Sequence, residues 1–179
     1  MARFFRLETN DERPLNFRVM KDSEIIKVGD WIVDEGTGVA NIDAITERVT
    51  GFVEDIVTKD KTSLQSATVS TGALGGTWAA STKQYTAAAD NTSVDLVMVA
   101  YRPVHHNDEV IATLTAAKGT TLGSNKAGYY LATKTTDSSK LDEATSSTTR
   151  TNVQFAIVDP YSQGSTTEVI VRVLPELLC

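Results

Sequence analysis

The sequence predicts an all-β fold, a compact barrel- or sandwich-like domain, and three observations carry that expectation. Short runs rich in Val, Ile, Tyr and Phe recur between clusters of Gly, Asp and Ser, the pattern of strands separated by turns. No segment sustains the 3.6-residue apolar period of an amphipathic helix of useful length. Thr, which suits exposed strand faces and turn caps, makes up about one residue in seven. At 179 residues the chain fits one domain, or one domain with an arm, and is long enough to bury a hydrophobic core.

Residues 1–13 show neither an alternating nor a helical pattern. Phe4 and Phe5 lie between Arg3 and Arg6, Leu7 follows, and Asp11 to Pro14 close the stretch. It reads either as a frayed end or first strand paired into its own sheet, or as an arm whose aromatic and Arg side chains anchor on a partner. Residues 14–179 then form a single β-rich body. Strands are expected at Leu15–Met20, Glu24–Val33, Val49–Val57 and Leu64–Ser70. Lys21-Asp22-Ser23 turns the chain, Gly29-Asp30 bends the second strand and re-aims Trp31, and Asp34 to Gly38 is a further turn.

Residues 71–91 are rich in Gly, Ala, Ser and Thr, with Trp78 and Tyr85 as the large anchors, and read as a surface loop suited to contact. Val94–Tyr101 is the strongest core strand, and Arg102-Pro103 stops it or puts it on an edge. Val110–Ala117 and Tyr129–Ala132 continue the pattern. Residues 135–152 are polar with almost nothing to bury, as in an exposed loop or the tip of a hairpin. Val153–Val158 and Glu168–Leu174 close the body as a hairpin-like pair.

Charge and cysteine content narrow the function classes. A net charge of −6 with scattered Lys and Arg disfavours nucleic-acid binding, which needs a local basic excess. The lone Cys179 leaves no intrachain disulfide and no multi-cysteine zinc site, and Glu176 stands where a prenylation box would need cysteine. No apolar run approaches the ~20 residues of a membrane span or makes a signal peptide, so folding in a cytoplasm without membrane partners is expected.

Candidate chemistry is sparse. His105-His106-Asn107-Asp108-Glu109 gathers metal-ligand residue types, but neighbouring side chains on an extended strand point to opposite faces, so a strand exit and turn is the simpler reading. No G-x-S-x-G elbow exists to build a nucleophile. Gly72 to Gly76 lacks the Lys-Ser/Thr of a phosphate loop. The acidic pairs Glu54-Asp55 and Asp142-Glu143 lack the aromatic lining of a glycosidase cleft. Asn91-Thr92-Ser93 matches a glycosylation acceptor but reads as a turn. The expectation is a protein that is not an enzyme and uses no cofactor or metal.

The stretch from Glu24 to Lys59, with its KVGDWIV, GVANID and ERVTGFVEDIV runs, resembles the small β domains of tailed-bacteriophage head decoration proteins. The segments VDLVMVAYRPVHHNDEVIATLTAA, AGYYLAT and VQFAIVD with TTEVIVRVLPE are similar to the later segments of such virion proteins. The resemblance covers the chain from about Lys21 onward. It implies a β-tulip-like cement protein that binds the major capsid protein on the exterior of an expanded virion capsid, as a homotrimer, without nucleic acid. It further implies that Ala2 to Leu7 adds a strand to the capsid subunit, with Arg3, Phe4, Phe5, Arg6, Leu7 and Trp78 as capsid-binding residues. The length and the polar insert at 135–152 depart from the smallest members. The competing expectation is a tail or head-fibre, adhesin-like module that binds a host glycan or receptor through the Thr-rich loops and Thr71 to Ala80.

Overall fold

In a computed structural model of the chain the described residues are 3–4, 13–42, 47–66, 69–94, 96–115, 130–134, 136–142, 153–159 and 167–174. They form an all-β, sandwich-like fold of several antiparallel sheets, none closed into a barrel. The strands are β1 (Arg3–Phe4), β2 (Asn16–Val19), β3 (Ile25–Lys27), β4 (Trp31–Asp34), β5 (Val39–Asn41), β6 (Gly51–Thr58), β7 (Thr77–Ala79), β8 (Gln84–Thr86), β9 (Val97–Pro103), β10 (Glu109–Thr113), β11 (Tyr130–Leu131), β12 (Thr133–Lys134), β13 (Asp137–Leu141), β14 (Phe155–Asp159) and β15 (Glu168–Val173). The one α-helix among the described residues, α1, is the single turn Asn91–Val94. The contacts divide the chain into two compact units. One comprises Arg13–Asn41 and Thr50–Pro103, the other Met1–Glu12, Ile42–Val49 and Val104–Cys179.

The first unit holds a five-stranded sheet, β2-β9-β6-β4-β5, and a three-stranded sheet, β3-β8-β7. Its backbone is the long β6–β9 pair, whose phase is set by a bulge. Val53 pairs with Tyr101 and Asp55 with Ala100, so Glu54 is the extra residue. Val53 and Ile56 are three apart and would face opposite sides of a regular strand; the inserted Glu54 puts both on the face of Val97, Val99 and Tyr101. That face shares one core cluster with Met20, Ile32 and Val39 of the same sheet region and with Ile26 and Tyr85 of the three-stranded sheet. Trp31 and Phe52, opposite each other across β4 and β6, meet edge-to-face at 5.5 Å, and both are buried.

The bend expected at Gly29-Asp30 takes the chain from β3 in one sheet to β4 in the other. Gly29 has φ +97°, a conformation that glycine adopts without penalty. Its N–H donates to Val53 O at 2.8 Å, and the Asp30 carboxylate accepts from Lys27 N at 2.8 Å. At one end of the five-stranded sheet the two edges touch through a single parallel bridge, Met20 to Val39.

Three local readings differ from the sequence expectation. Residues 64–66 form turns rather than a strand: Ser66 N donates to Ser63 O at 3.0 Å, while Leu64 alone is inserted into the core at 2% exposure. Val94 ends α1 and is exposed, so the core strand begins at Val97, three residues late. Residues 71–91 hold the β7–β8 hairpin as well as loop, because Tyr85 is an interior anchor rather than a surface one.

The second unit holds the sheet β1-β10-β15-β14-β11 and the hairpin β12–β13. β10 and β15 pair from Glu109–Arg172 to Thr113–Glu168, and consecutive buried residues on both, Val110 to Ala112 and Val169 to Val171, mean that both faces of these strands are covered. The hairpin-like pair expected at the end of the sequence is β14–β15. Gln154, 6% exposed, joins separate segments: its Oε1 accepts from Thr133 N at 3.1 Å and its Nε2 donates to Glu47 O. In the polar stretch, Asp137–Leu141 is strand β13, held by Leu141 in the core; residues 135 and 143–152 lie outside the described residues.

Candidate functional site

Of the residues expected to contact a partner, Arg3, Phe4 and Trp78 lie among the described residues. Arg3 and Phe4 form β1, paired antiparallel with Ile111 and Val110 of β10 at the rim of the sheet. Phe5, Arg6 and Leu7 lie outside the described residues. Trp78 lies in β7 directly across from Tyr85, which is fully buried. Strand alternation therefore turns the indole toward the core, where it packs half-buried against the cluster of the first unit.

The Gly-rich stretch before Trp78 is fixed by Tyr85. The phenol donates to Leu74 O at 2.9 Å and accepts from Gly76 N at 3.1 Å. A Cβ on Gly76 would lie 2.2 Å from Thr86 O and 2.4 Å from the Tyr85 oxygen, so only glycine lets the loop lie this close to β8. Burial raises the Tyr85 phenol above its ordinary value and the Gly76 N–H partly offsets that, so the group stays a neutral donor.

The candidate chemical groups lie in turns, ion pairs and hydrogen bonds where they are described. His105 and His106 are exposed on the turn before β10, with Asn107 at φ +70° and His105 N donating to the Asp108 carboxylate at 2.6 Å. Among the described residues, no three His, Cys, Asp or Glu side chains are grouped so as to hold a metal ion. Glu54 pairs with Arg102 at 3.2 Å, Asp55 accepts from Gln65 at 3.1 Å, and Asp142 pairs with Lys134 at 2.9 Å. Asn91 of the apparent glycosylation acceptor is fully buried.

The clearest electrostatic feature is Arg18 on β2 against Asp34 at the end of β4. Arg18 Nη2 donates to Asp34 Oδ1 at 3.1 Å, and Nε lies 3.0 Å from Oδ2. Burial pushes the Asp34 carboxyl up, but the Arg18 hydrogen bond, the Gly36 N–H and the Arg18 charge outweigh it and hold the group below its ordinary value. The Asp34 hydrogen bond, then its charge, raise Arg18. A depressed carboxyl contributes stability above its unfolded pKa, and that contribution is lost as pH falls through the folded one. A double-mutant cycle of Arg18→Ala and Asp34→Asn should therefore give a coupling of at most ~1 kcal/mol at pH 7, as for exposed ion pairs. In urea melts the coupling should shrink as pH falls below the ordinary carboxylate range and through the depressed Asp34 value; a coupling that grows as pH falls would assign the pair no electrostatic role.

Sequence reading passed over the outer surface of β2 and β9. Phe17, Val19 and Met98 stand there half-buried, and Lys61 places its ammonium 4.5 Å from the Phe17 ring centroid. The signal was present in the alternation Phe17-Arg18-Val19, which supplies one apolar face whichever way the strand is turned. No family model matches the chain, and no curated protein or solved structure gives a match to it.

Proposed function

We propose that this chain is a structural virion protein that binds the outer surface of an expanded phage capsid and stabilises it. The observation that supports this reading best is the position of β1. It is the end strand of its sheet, so its outer side has no strand partner among the described residues. A backbone edge of that kind can take a strand from another chain, and the neighbouring Arg and aromatic side chains would supply anchors. In this reading the sheets are the scaffold, residues 1–12 reach the major capsid protein, and copies associate as trimers on the shell. A ligand that binds only the expanded state stabilises it by mass action, and many weak clamps acting together suffice.

The test is truncation. Removing residues 1–12 keeps Arg13, whose backbone O accepts from Arg102 at 2.7 Å and whose guanidinium donates to Pro103 O. The truncated chain should keep its strand circular-dichroism signature yet co-sediment with expanded capsids of its own phage at least tenfold more weakly. Undiminished binding by the truncated chain would reject the proposal.

A further inference from the structure

The first unit has four end strands, β2 and β5 in one sheet and β3 and β7 in the other. Three of them are covered or charged. β2 and β5 meet through the Met20–Val39 bridge, and β2 carries Arg18 in its ion pair with Asp34. β3 lies against β5, where Asn41 Nδ2 donates to Ile25 O and Asn41 N donates to the Glu24 carboxylate at 3.3 Å, and it ends on Lys27. β7 has neither device: Thr77, Trp78 and Ala79 pair with β8 without a bulge, and no strand lies on the other side among the described residues. Proteins commonly blunt such an edge with charge, proline or a bulge.

The sequence around β7 is also free of charge. From Thr62 to Thr82 there is no Asp, Glu, Lys, Arg or His, in a chain that is 22% charged, and no other uncharged run in the sequence is as long. Thr77 and Ala80 to Thr82 of this run are exposed. Thr77 and Ala79 supply the outward face beside the edge, because Trp78 between them turns inward and stays half-buried.

We infer that β7 pairs with β7 of a second copy of this chain, antiparallel about a two-fold axis at Trp78. Charge selects the occupant. Two copies of net charge −6 repel, and a two-fold contact centred on a charged residue sets it against itself, whereas this run meets itself without Coulomb cost. A foreign partner is steered by complementary charge, and the run offers none to read. The register sets Trp78 beside its counterpart, so the half-buried indoles gain cover as a cross-strand aromatic pair, and it sets Thr77 opposite Ala79 of the second copy. Gly75 and Gly76 then fall opposite Ser81 and Ala80, small residues that let the two backbones approach. This inference does not rest on the capsid reading and uses no residue of β1.

The test is sedimentation equilibrium of the full chain at rising concentration. The mass should climb from 19.3 kDa toward twice that value, with half-association below about 1 mM, the weak end expected of so small a contact. Thr77→Lys and Ala79→Glu, both on the outward face, should each weaken association by about threefold or more, because like charges then lie on the diagonal across the axis. An equimolar mixture of the two variants should associate more tightly than either alone, since the new ammonium then stands directly opposite the new carboxylate. Ser93→Lys, at an exposed position outside the run, should not weaken association. A chain that stays monomeric at about 1 mM, association untouched by Thr77→Lys, a mixture no tighter than the separate variants, or an equal loss with Ser93→Lys would overturn the inference.

Discussion

Trp31→Ala is expected to lower the unfolding free energy by about 4 kcal/mol, the scale of a large aromatic removed from a core. Trp31 is fully buried, opposite Phe52 and edge-on to it at 5.5 Å. The truncation removes the transfer free energy of the indole, leaves a cavity that strands on a hydrogen-bonded ladder cannot easily collapse, and breaks a ring pair worth ~1 kcal/mol beyond its area. Trp31→Phe keeps much of the apolar area and the edge-to-face geometry, so it should cost less than half as much. Urea unfolding followed by circular dichroism measures both, since the fluorescence of Trp31 is lost in the variants themselves. A loss under about 1 kcal/mol for Trp31→Ala would mean that the site relaxes, contrary to close packing.

The same residue shows where the sequence was readable. Around Trp31, the apolar run Glu24–Val33 announces one strand bent at Gly29-Asp30; the bend is there, but it divides the run into β3 and β4, which lie in separate sheets. Strands with a continuous apolar run, β9, β14 and β15, were legible for the same reason: burial on a pleated sheet demands that pattern. The hairpin of β7 and β8 was hidden because its strands are three residues each and mostly polar outside Trp78 and Tyr85. β5 was hidden because Val39, Ala40 and Asn41 are too few to show a period. The bulge at Glu54 could not be read at all, since an inserted residue changes phase without changing composition.

Contact surfaces were less legible than strands for a related reason. Trp78 reads as a free anchor in a Gly-rich loop, but its facing direction depends on its pairing with Tyr85, a long-range fact. The half-buried group of Phe17, Val19 and Met98 likewise depends on the pairing of β2 with β9, which only the fold brings together.

Asn91→Leu should cost roughly 3 kcal/mol, although the residue lies on a four-residue helix and no sequence pattern marks it as central. Its amide nitrogen donates to Met20 O at 2.6 Å and Val97 O at 3.0 Å, and its Oδ1 accepts from Val97 N at 3.2 Å. One fully buried side chain thus joins the end of β2 to the start of β9, where Met20 N already bonds Val97 O at 3.1 Å. Leucine preserves volume but strands Met20 O and Val97 N without water, and each orphaned group costs ~1–3 kcal/mol. Asn91→Asp separates hydrogen bonding from packing. At neutral pH it would set a carboxylate against two carbonyl oxygens, so it should be worse than leucine. A buried carboxyl that must stay neutral titrates above its unfolded value, so its penalty should shrink as pH falls and the protonated acid can donate. Unfolding midpoints for both variants between pH 4 and pH 8, roughly the range spanning ordinary and buried carboxyls, decide the matter. A penalty for Asn91→Asp that grows in acid, or a leucine variant within about 1 kcal/mol of the parent, would show that the amide only fills space.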